Sequence, residues 1–332
     1  MRRILITGAS GCIGHYVTEA LAADPGLELY LFVRDPQKVR LDPRWRSGVT
    51  VVPGDMREIA RFADLLKTVH VAVLAATAWG GPEADEINVT RTLELLHLLD
   101  PRVCAQVFYF STASVLSREN RPLPEAARYG TRYIRSKYEL LRRLPEVPVA
   151  EAITVLSPTL VFGGDAEKPH SFLSTDLRPF VKWFNLVRFL SIDGSFHFIH
   201  ARDVAQVVRH LLHHPELGGS LRTVVLGQEA LTFDQAVEEI CGVLDKRVYF
   251  RIPIPASFLT RVAPLFQRHL PAGEAAWGAF CLRYRHFRHD HPVNPATFGL
   301  PNYCPTLVRA QQISGILRGG IVPDVGRQPS RP

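Results

Sequence analysis

The chain has 332 residues, of which 46% are hydrophobic, and a formal net charge of +7. This composition is typical of a folded globular protein, and no segment approaches the roughly 18 apolar residues of a membrane-spanning helix. The first apolar run is too short for a secretory signal, and the five cysteines include no closely spaced pair. These features predict a cytoplasmic protein with neither a disulfide framework nor a metal site.

The excess positive charge comes almost entirely from arginine, since only six of the 39 basic residues are lysines. A positive surface favours anionic ligands, such as phosphorylated cofactors, or an acidic membrane surface. Most of these arginines are expected to be solvated. The basic run from Arg285 to His291 is interpreted as a charged loop, with no nucleic-acid partner, because a metal or base-reading site needs groups that converge on fixed elements.

The first element is a short apolar strand followed by spaced glycines. Residues 4–6 are apolar, and Gly8, Gly11 and Gly14 follow at intervals of three. Helical spacing of apolar residues then predicts a helix from near Cys12. In this order, Gly8 permits a tight turn, Gly11 lets the backbone approach a pyrophosphate, and Gly14 brings the helix close to the strand. The helix N-terminus offers amides and a positive dipole end to the phosphates. An ordinary strand-to-helix turn is the alternative.

Strands and helices alternate along the first half of the chain, which predicts an α/β fold with a doubly wound parallel sheet of the Rossmann type. The later predicted strands are 27–33, 49–52, 69–76, 103–110, 152–162, 196–200 and 223–226. The later predicted helices are 61–66, 86–99, 132–144, 203–214 and 233–244.

The regular alternation ends after Gly164, where the sequence becomes mixed and rich in aromatic residues. We therefore expect a second, smaller substrate-binding domain. Residues 1–164 and 196–226 are assigned to the dinucleotide-binding domain, and residues 165–195 and 227–318 to the substrate domain. Residues 319–332, which mix Gly, Pro, Arg and Ser, are expected to form a disordered tail.

The end of the second strand bears on the choice of cofactor. An acidic residue there bonds the 2′-hydroxyl of the adenosine ribose and favours NAD, whereas an arginine accommodates the 2′-phosphate of NADP. Arg34 comes first and Asp35 follows, which predicts NADP. The alternative is that Arg34 is solvated and Asp35 caps the next turn, and NAD then stays open as the cofactor.

Polar residues with catalytic chemistry follow the fifth strand. Thr112 comes at its carboxyl end, where ligands of open α/β sheets bind. The next helix carries Tyr133 and Lys137, which share one face because they are four residues apart, and no other tyrosine in the chain has a lysine at this spacing. A nearby ammonium is expected to lower the pKa of the tyrosine toward the range of a general acid or base. Taken singly, each of these features has an ordinary alternative. Tyr133 and Lys137 would then lie on a solvated helix face, and the Thr112 hydroxyl would bond the local backbone.

In combination, these features resemble the extended short-chain dehydrogenases/reductases, the group that includes nucleotide-sugar epimerases, 3β-hydroxysteroid dehydrogenases and dihydroflavonol reductases. The resemblance is carried by Thr7 to Gly14, Gly54-Asp55, Ala75-Ala76, Asn88-Val89, Ser111-Thr112, Tyr133 to Lys137, Pro158, Val161 to Gly163 and Phe198 to Ala205. Beyond these residues it is loose. Leu116-Ser117 stands where many relatives have tyrosine-glycine, which implies a different pocket wall.

The resemblance implies a role for each matching residue. Tyr133 is implied as the proton donor or acceptor, and Lys137 as the group that bonds the nicotinamide ribose and tunes Tyr133. Thr112 is implied to hold the substrate oxygen, with Ser111 and Ser114 as alternatives. Asp55 is implied to contact the adenine ring. The whole implied cofactor site is Gly8, Ser10, Gly11, Cys12, Ile13, Gly14, Arg34, Asp55, Met56, Ala75, Ala76, Tyr133, Lys137 and Pro158.

The sequence therefore predicts an NADP-dependent oxidoreductase that moves a hydride between the nicotinamide and a carbonyl or alcohol carbon. A nucleotide-sugar epimerase or dehydratase with tightly bound NAD is the alternative. A non-catalytic NADP sensor is disfavoured, because such proteins commonly lose the tyrosine–lysine pair. Residues 252–269 are interpreted as a substrate lid or a peripheral membrane contact, and a homodimer stays open.

Aromatic residues in the regions expected to form the pocket favour a small hydrophobic substrate, with ordinary core packing as the alternative. These residues are Phe172, Phe180, Trp183, Phe184, Phe189, Phe258, Phe266 and Trp277.

Overall fold

The computed structural model describes residues 1–40, 48–176, 184–266 and 272–313. Its strands are β1 (Arg2–Thr7), β2 (Leu27–Val33), β3 (Val49–Pro53), β4 (Val71–Leu74), β5 (Gln106–Phe110), β6 (Ile153–Pro158), β7 (Leu160–Phe162), β8 (Leu190–Ile192), β9 (Ser195–Phe196), β10 (Phe198–His200), β11 (Arg222–Leu226), β12 (Leu231–Thr232), β13 (Ile252–Ile254) and β14 (His286–Phe287). Its α-helices are α1 (Cys12–Ala22), α2 (Ala63–Leu66), α3 (Glu83–Asp85), α4 (Thr92–Leu98), α5 (Pro124–Tyr129), α6 (Arg132–Arg143), α7 (Phe172–Asp176), α8 (Phe184–Val187), α9 (Ala201–His213), α10 (Phe233–Val243), α11 (Ala256–Phe266), α12 (Ala272–Tyr284) and α13 (Leu307–Ile313).

Seven of these strands form one parallel sheet in the order β11-β6-β5-β4-β1-β2-β3. The chain builds the sheet outward from β1 in one direction through β2 and β3, and then returns to β4 and continues in the other direction. In such a sheet, ligands bind beyond the carboxyl ends of the strands where the order reverses. The Rossmann-like parallel sheet predicted from the sequence is confirmed.

Alternate residues of β1 supply the cores on the two faces of the sheet. Ile4 and Ile6 pack with Val17 of α1 and Val208 of α9, whereas Leu5 belongs to the opposite core, which also contains Leu96 of α4 and Leu140 of α6. Residues 4–6 of β1 are buried on both faces of the sheet, and a run that is buried in this way is apolar throughout. Each such side chain contributes about 1.5–3 kcal/mol when it is fully buried, so the helices on both faces are held mainly by these contacts.

The single strand predicted over 152–162 is wrong, because β6 and β7 belong to different sheets. Pro158 ends the pairing of β6 with β11, and the amide and hydroxyl of Thr159 then both donate to the carbonyl of Leu226, at 3.0 and 2.9 Å. Leu160 instead begins β7, which pairs with β10. The predicted strand over 196–200 is divided in the same way into β9 and β10.

The rest of the described chain forms small sheets beside the main one, with the pairings β12-β9-β14 and β13-β8. The buried carboxylate of Asp203 ties the segment after α12 and β14 to α9, because it accepts hydrogen bonds from the amides of Tyr303 and Cys304 at 2.6 and 3.0 Å. The division into two domains and the lid over 252–269 stay predictions.

All five cysteines are free thiols. Among the described residues, no helix is both long enough and apolar enough to cross a membrane. The predicted tail over 319–332 lies outside the described residues, as do Phe180 and Trp183.

Candidate active site

The glycine turn after β1 brings the start of α1 and the end of β4 together. Gly8 has a φ of +70°, and a Cβ at this position would lie 2.6 Å from the amide nitrogen of Ala76. A Cβ at Gly14 would overlap the carbonyl oxygen of Gly8. The turn is tied to β4 by Thr7, whose carbonyl and hydroxyl accept from the amides of Ala75 and Ala76, each at 3.2 Å. Glycine is therefore required at both positions for these close approaches.

The N-terminus of α1 is open toward the turn. Gly11 is its N-cap residue and provides no side-chain cap, while the amide of Gly11 bonds the carbonyl of Gly8 at 2.9 Å. The first amides of a helix, here those of Cys12 and Ile13, have no acceptor within the helix. Together with the positive end of the helix dipole, they suit an anion. The neighbouring Ser10 is half-buried.

The thiol of Cys12 has a packing role in this turn. Its Sγ would lie 2.7 Å from a Cβ at Gly163, so it fills the space between α1 and the end of β7. Burial raises the pKa of Cys12 to about 12. The thiol is therefore neutral at physiological pH and is not a nucleophile.

The ends of β2 and β3 lie side by side, because the amide of Gly54 donates to the carbonyl of Val33 at 2.9 Å. Arg34 is exposed, and its guanidinium has no hydrogen bond or ion pair within the described part of the chain. Asp35 accepts a hydrogen bond from the amide of Gln37 at 3.0 Å and lies 3.9 Å from Lys38. Both features of the alternative considered for this site are thus present, since Asp35 caps the turn and Arg34 is exposed, and these contacts leave the choice between NADP and NAD open.

Asp55 also makes a cap. It precedes a 3-10 helix over Met56–Phe62, and its carboxylate accepts from the amide of Arg57 at 2.9 Å and pairs with the guanidinium of Arg57 at 3.4 Å. Met56 is buried beneath this turn. Any contact of the Asp55 carboxylate with an adenine therefore competes with its bonds to Arg57. At the other side of the sheet, Pro158 is buried at the end of β6.

Lys137 is the most deeply buried member of the predicted catalytic set. Its side chain crosses from α6 to the carboxyl end of β5, where Nζ donates a hydrogen bond of 2.8 Å to the carbonyl of Phe110. Nζ also lies 5.0 Å from the ring centre of Tyr109 and 5.9 Å from that of Tyr133. Burial lowers the pKa of Lys137 to about 7, so its charge is marginal at neutral pH.

Tyr133 and Thr112 lie close together at the end of β5. Thr112 caps the short turn that follows β5 by accepting from the amide of Ser114 at 3.3 Å. Burial raises the pKa of the Tyr133 phenol, and the Thr112 side chain acts in the opposite direction through a hydrogen-bonding interaction. The lowering of this pKa by Lys137 that the sequence predicted is not found, because burial also weakens the charge of the lysine and its amine is directed to Phe110.

The two alternatives to Thr112 differ from it in their surroundings. Ser111 is buried, with its hydroxyl beside that of Tyr109. Ser114 is half-buried and is the second residue of the short turn, which begins at Ala113. Of the three hydroxyls, that of Thr112 is the one that influences Tyr133. This arrangement favours Thr112 as the partner of Tyr133.

Asn88 joins the segment after β4 to the catalytic helix. No site role was predicted for Asn88, although Asn88-Val89 helped to carry the resemblance. It lies on a π-helical turn over Glu86–Arg91, which replaces the start of the predicted helix over 86–99. The side chain exchanges two hydrogen bonds of 2.8 Å with the backbone of Ala78 and donates one of 2.9 Å to the hydroxyl of Ser136. A buried side-chain amide on an apolar helix face needs such partners. The signal available in the sequence was therefore a polar residue, Asn88, at a position expected to be buried.

Trp79 is a second residue that the sequence did not place in the site. Its indole stacks on the ring of Tyr133 with 4.7 Å between ring centres, and the ring of Phe172 stacks on the indole at 5.3 Å. Of the other predicted pocket aromatics, Phe184 is buried and Trp277 packs on the core. Phe189 stacks on Phe250, and Phe258 is exposed on α11. The side chain of Phe266 lies outside the described part of the structure.

No group of three or more metal-binding side chains was found among the described residues. In the run that starts at Arg285, His289 is buried and bonds the carbonyl of Ser117 at 3.1 Å, and its amide donates to His197 at 3.0 Å. His289 thus packs this stretch against the segment after β5, while His286, Arg288 and His291 are exposed and only His286–Phe287 is in a strand among these residues.

The comparisons with known proteins agree with this fold. A profile of the NAD dependent epimerase/dehydratase family matches residues 4–227, which is more than half of the chain. A phenylcoumaran benzylic ether reductase (IRL1) of Ginkgo biloba is 34% identical over 98 residues, which cover 28% of this chain and 31% of the reductase. The chain therefore aligns with about a third of the length of this curated relative.

Two solved structures illustrate the similarity in fold. The dTDP-glucose 4,6-dehydratase of Bacillus anthracis in complex with NAD is 15% identical with a TM-score of 0.62, and the match covers 96% of this chain and 97% of the dehydratase. The terminal R domain of the myxalamid biosynthetic pathway is 18% identical with a TM-score of 0.66, and the match covers 95% and 89% of the two chains. Taken with the family profile, the strand order and the glycine turn, these findings show that the chain belongs to the NAD-dependent epimerase/dehydratase family, and thus to the NAD(P)-dependent enzymes of the extended short-chain dehydrogenase/reductase type.

Proposed function

We propose that the protein is an NADP-dependent oxidoreductase that transfers a hydride between the nicotinamide and a carbonyl or alcohol carbon of a small hydrophobic substrate. The observation that carries the proposal is the convergence of three groups at the end of β5. Thr112 lies near the Tyr133 phenol and lowers its pKa, and the Lys137 amine lies 5.9 Å from the centre of the Tyr133 ring and bonds the last carbonyl of β5. A hydroxyl, a phenol and an amine in this arrangement suit the transfer of a proton to or from a substrate oxygen.

The residues around the glycine turn fit a dinucleotide. The open amides at the start of α1 would bind the pyrophosphate, with Gly8, Ser10, Gly11, Cys12, Ile13 and Gly14 as the turn. Ala75 and Ala76 would line the ribose, Asp55 and Met56 the adenine, and Pro158 the nicotinamide end. When bound, NADP would supply or accept the hydride.

Tyr133 is the proposed general acid. Because burial raises its pKa, its phenol is protonated at neutral pH in the ligand-free protein. This is the form that donates a proton to a developing alkoxide. Thr112 would hold the same substrate oxygen by a hydrogen bond. For alcohol oxidation Tyr133 would have to act as a base, which a charged Lys137 would favour.

Lys137 would bond the nicotinamide ribose through its amine, which already donates to the carbonyl of Phe110. Additional acceptors around a buried amine favour its charged form. We therefore expect the pKa of Lys137 to rise from about 7 when the cofactor binds. A larger charged fraction of Lys137 would in turn favour the phenolate form of Tyr133.

The preference for NADP rests on Arg34. Its exposed guanidinium follows β2 directly, where the ribose 2′-position of a bound dinucleotide would lie. The carboxylate of Asp35, which would oppose a phosphate, is occupied by the amide of Gln37. This bond and the contact with Lys38 direct the Asp35 carboxylate toward the following turn, and Arg34 would be the group that meets a 2′-phosphate.

Purified protein incubated with NADPH or NADH and a panel of ketones tests the proposal. We expect oxidation of NADPH, followed by its absorbance, in step with formation of the alcohol. The same preparation is denatured, and the nucleotide that it releases is identified. Stoichiometric NAD in the preparation, together with isomerisation or dehydration of a sugar nucleotide without net oxidation, would favour the epimerase or dehydratase alternative that the family description keeps open.

A further inference from the structure

Three aromatic rings from different parts of the chain form one stack. The ring of Tyr133 lies at an angle of 29° to the indole of Trp79 with 4.7 Å between their centres, and the ring of Phe172 lies at 15° to the indole with 5.3 Å between centres. Tyr133 comes from α6, Trp79 from the segment after β4, and Phe172 from the start of α7. The rings of Trp79 and Phe172 thus extend the aromatic surface of the proposed general acid.

The backbone before Trp79 is held by hydrogen bonds, and the backbone after it borders open space. Before it, Ala78 is bonded through both its amide and its carbonyl to the buried side chain of Asn88. After it, a Cβ at Gly80 or Gly81 would meet no atom within 4 Å. The backbone therefore presents the indole to solvent from a fixed point.

The side chains of Trp79 and Phe172 are unusually exposed for their size. Trp79 has a relative exposure of 57% and Phe172 of 59%. Leaving large aromatic faces in water is unfavourable, and contiguous exposed apolar surface marks a site that a partner or ligand covers. The spacing of about 5 Å within the stack leaves no room for another ring between its members, so a ligand would have to lie against the exposed faces or edges.

We propose that Trp79 and Phe172 form an aromatic wall beside Tyr133, and that this wall selects substrates whose reacting carbonyl or alcohol carbon is attached to a planar ring. The inference rests on the proposed function, since it takes Tyr133 as the group that meets the substrate oxygen. A planar ring gains contact area and favourable ring–ring geometry on such a wall, whereas a saturated ring of the same carbon number gains only the former. Trp79 and Phe172 are thus specificity-determining residues and take no part in proton transfer.

The test compares the binding of matched ketones to protein saturated with NADP⁺. Acetophenone and acetylnaphthalene are titrated beside cyclohexyl methyl ketone and the decalin analogue, which have the same carbon number and saturated rings. Dissociation constants come from calorimetry, so turnover is not needed. We expect each aryl ketone to bind about tenfold more tightly than its saturated partner.

The variants assign this preference to the wall. W79L and F172L should each remove most of it, and W79F should retain it. F258L is the matched control, because Phe258 is a similarly exposed aromatic residue on α11 with a relative exposure of 53%, and it should bind like the wild type. Thermal unfolding of each variant checks that the fold is kept.

Other outcomes of these titrations would contradict the proposed aromatic wall. The proposal would be contradicted by equal affinities within the ketone pairs, by failure of the aryl ketones to bind, or by a preference that survives both leucine variants. It would also be contradicted if UDP-glucose bound more tightly than every ketone and W79L abolished that binding. The proposed function fails separately: a Y133F variant that keeps full turnover contradicts the catalytic role of Tyr133, whatever the ketones' affinities.

Discussion

The side-chain amide of Asn88 donates a hydrogen bond of 2.9 Å to the hydroxyl of Ser136 in the interior of the protein. Both residues have a relative exposure of 1%. Ser136 lies on α6 between Tyr133 and Lys137, and Asn88 also holds the backbone of Ala78 beside Trp79. This one side chain thus fixes the segment after β4 relative to the helix that carries the proposed catalytic residues.

Replacing Asn88 by leucine should therefore disturb both stability and the site. The side chain takes part in four hydrogen bonds, to Thr77, to both polar atoms of the Ala78 backbone, and to Ser136. We expect N88L to lower the free energy of unfolding by about 2–4 kcal/mol, and S136A, which removes one of these bonds, by about 1 kcal/mol. Urea denaturation measures both. Equal losses in the two variants would mean that the bonds of Asn88 to Thr77 and Ala78 contribute nothing.

Replacing Tyr133 by phenylalanine removes the proposed proton donor and keeps the ring that stacks on Trp79. We expect turnover of the best ketone to fall about 10²–10⁴-fold, while the dissociation constant of NADPH changes little. Tyr138 lies on the same helix, half-buried, and Y138F serves as the matched control with near-normal turnover. Turnover of Y133F at the rate of the control would show that another group moves the proton.

Lys137 should give the ligand-free protein a characteristic dependence of stability on pH. Its pKa in the folded protein is about 7, against 10.5 for the unperturbed side chain. Between these values the unfolded chain binds more protons, so the stability of the folded state rises with pH. Relative to K137M, which cannot titrate, the wild type should gain about 2 kcal/mol between pH 7 and pH 9.

Denaturant unfolding at several pH values, without cofactor, measures this difference. A constant difference between wild type and K137M over that range would mean that Lys137 titrates near its ordinary value. Saturation with NADPH, whose nicotinamide ring is uncharged, should shift the rise to higher pH, because additional acceptors favour the charged amine.

Arg34 should determine the choice between the two nicotinamide cofactors. Hydrogen bonds between a guanidinium and a phosphate contribute about 1.5–3 kcal/mol each, which is at least a tenfold preference in affinity. We expect NADPH to bind more tightly than NADH, and R34A to remove most of the difference by weakening NADPH alone. R121A, at another exposed arginine, is the control. If the wild type binds both cofactors equally, Arg34 faces solvent and the prediction of NADP is wrong.

The fold was largely predictable because its signals are local. The apolar runs of β1, β2 and β11 and the glycines after β1 lie within short windows, and the parallel sheet follows from their alternation with helices. The predicted strand over 152–162 failed because its division depends on the carbonyl of Leu226, which is distant in sequence and receives both polar groups of Thr159. An apolar run does not show which neighbour each of its residues will pair with.

By itself, the sequence determined the order of the elements, the glycine turn, the position of an arginine directly after β2 and the shared helix face of Tyr133 and Lys137, since each of these depends on residues a few positions apart. The tertiary structure alone decided what surrounds them. It directed Lys137 to the carbonyl of Phe110, raised the pKa of Tyr133 by burial, joined Asn88 to Ser136, and placed Trp79 and Phe172 against the proposed acid. Desolvation and long-range contacts arise only when separate elements pack together, so no local pattern in the chain records them.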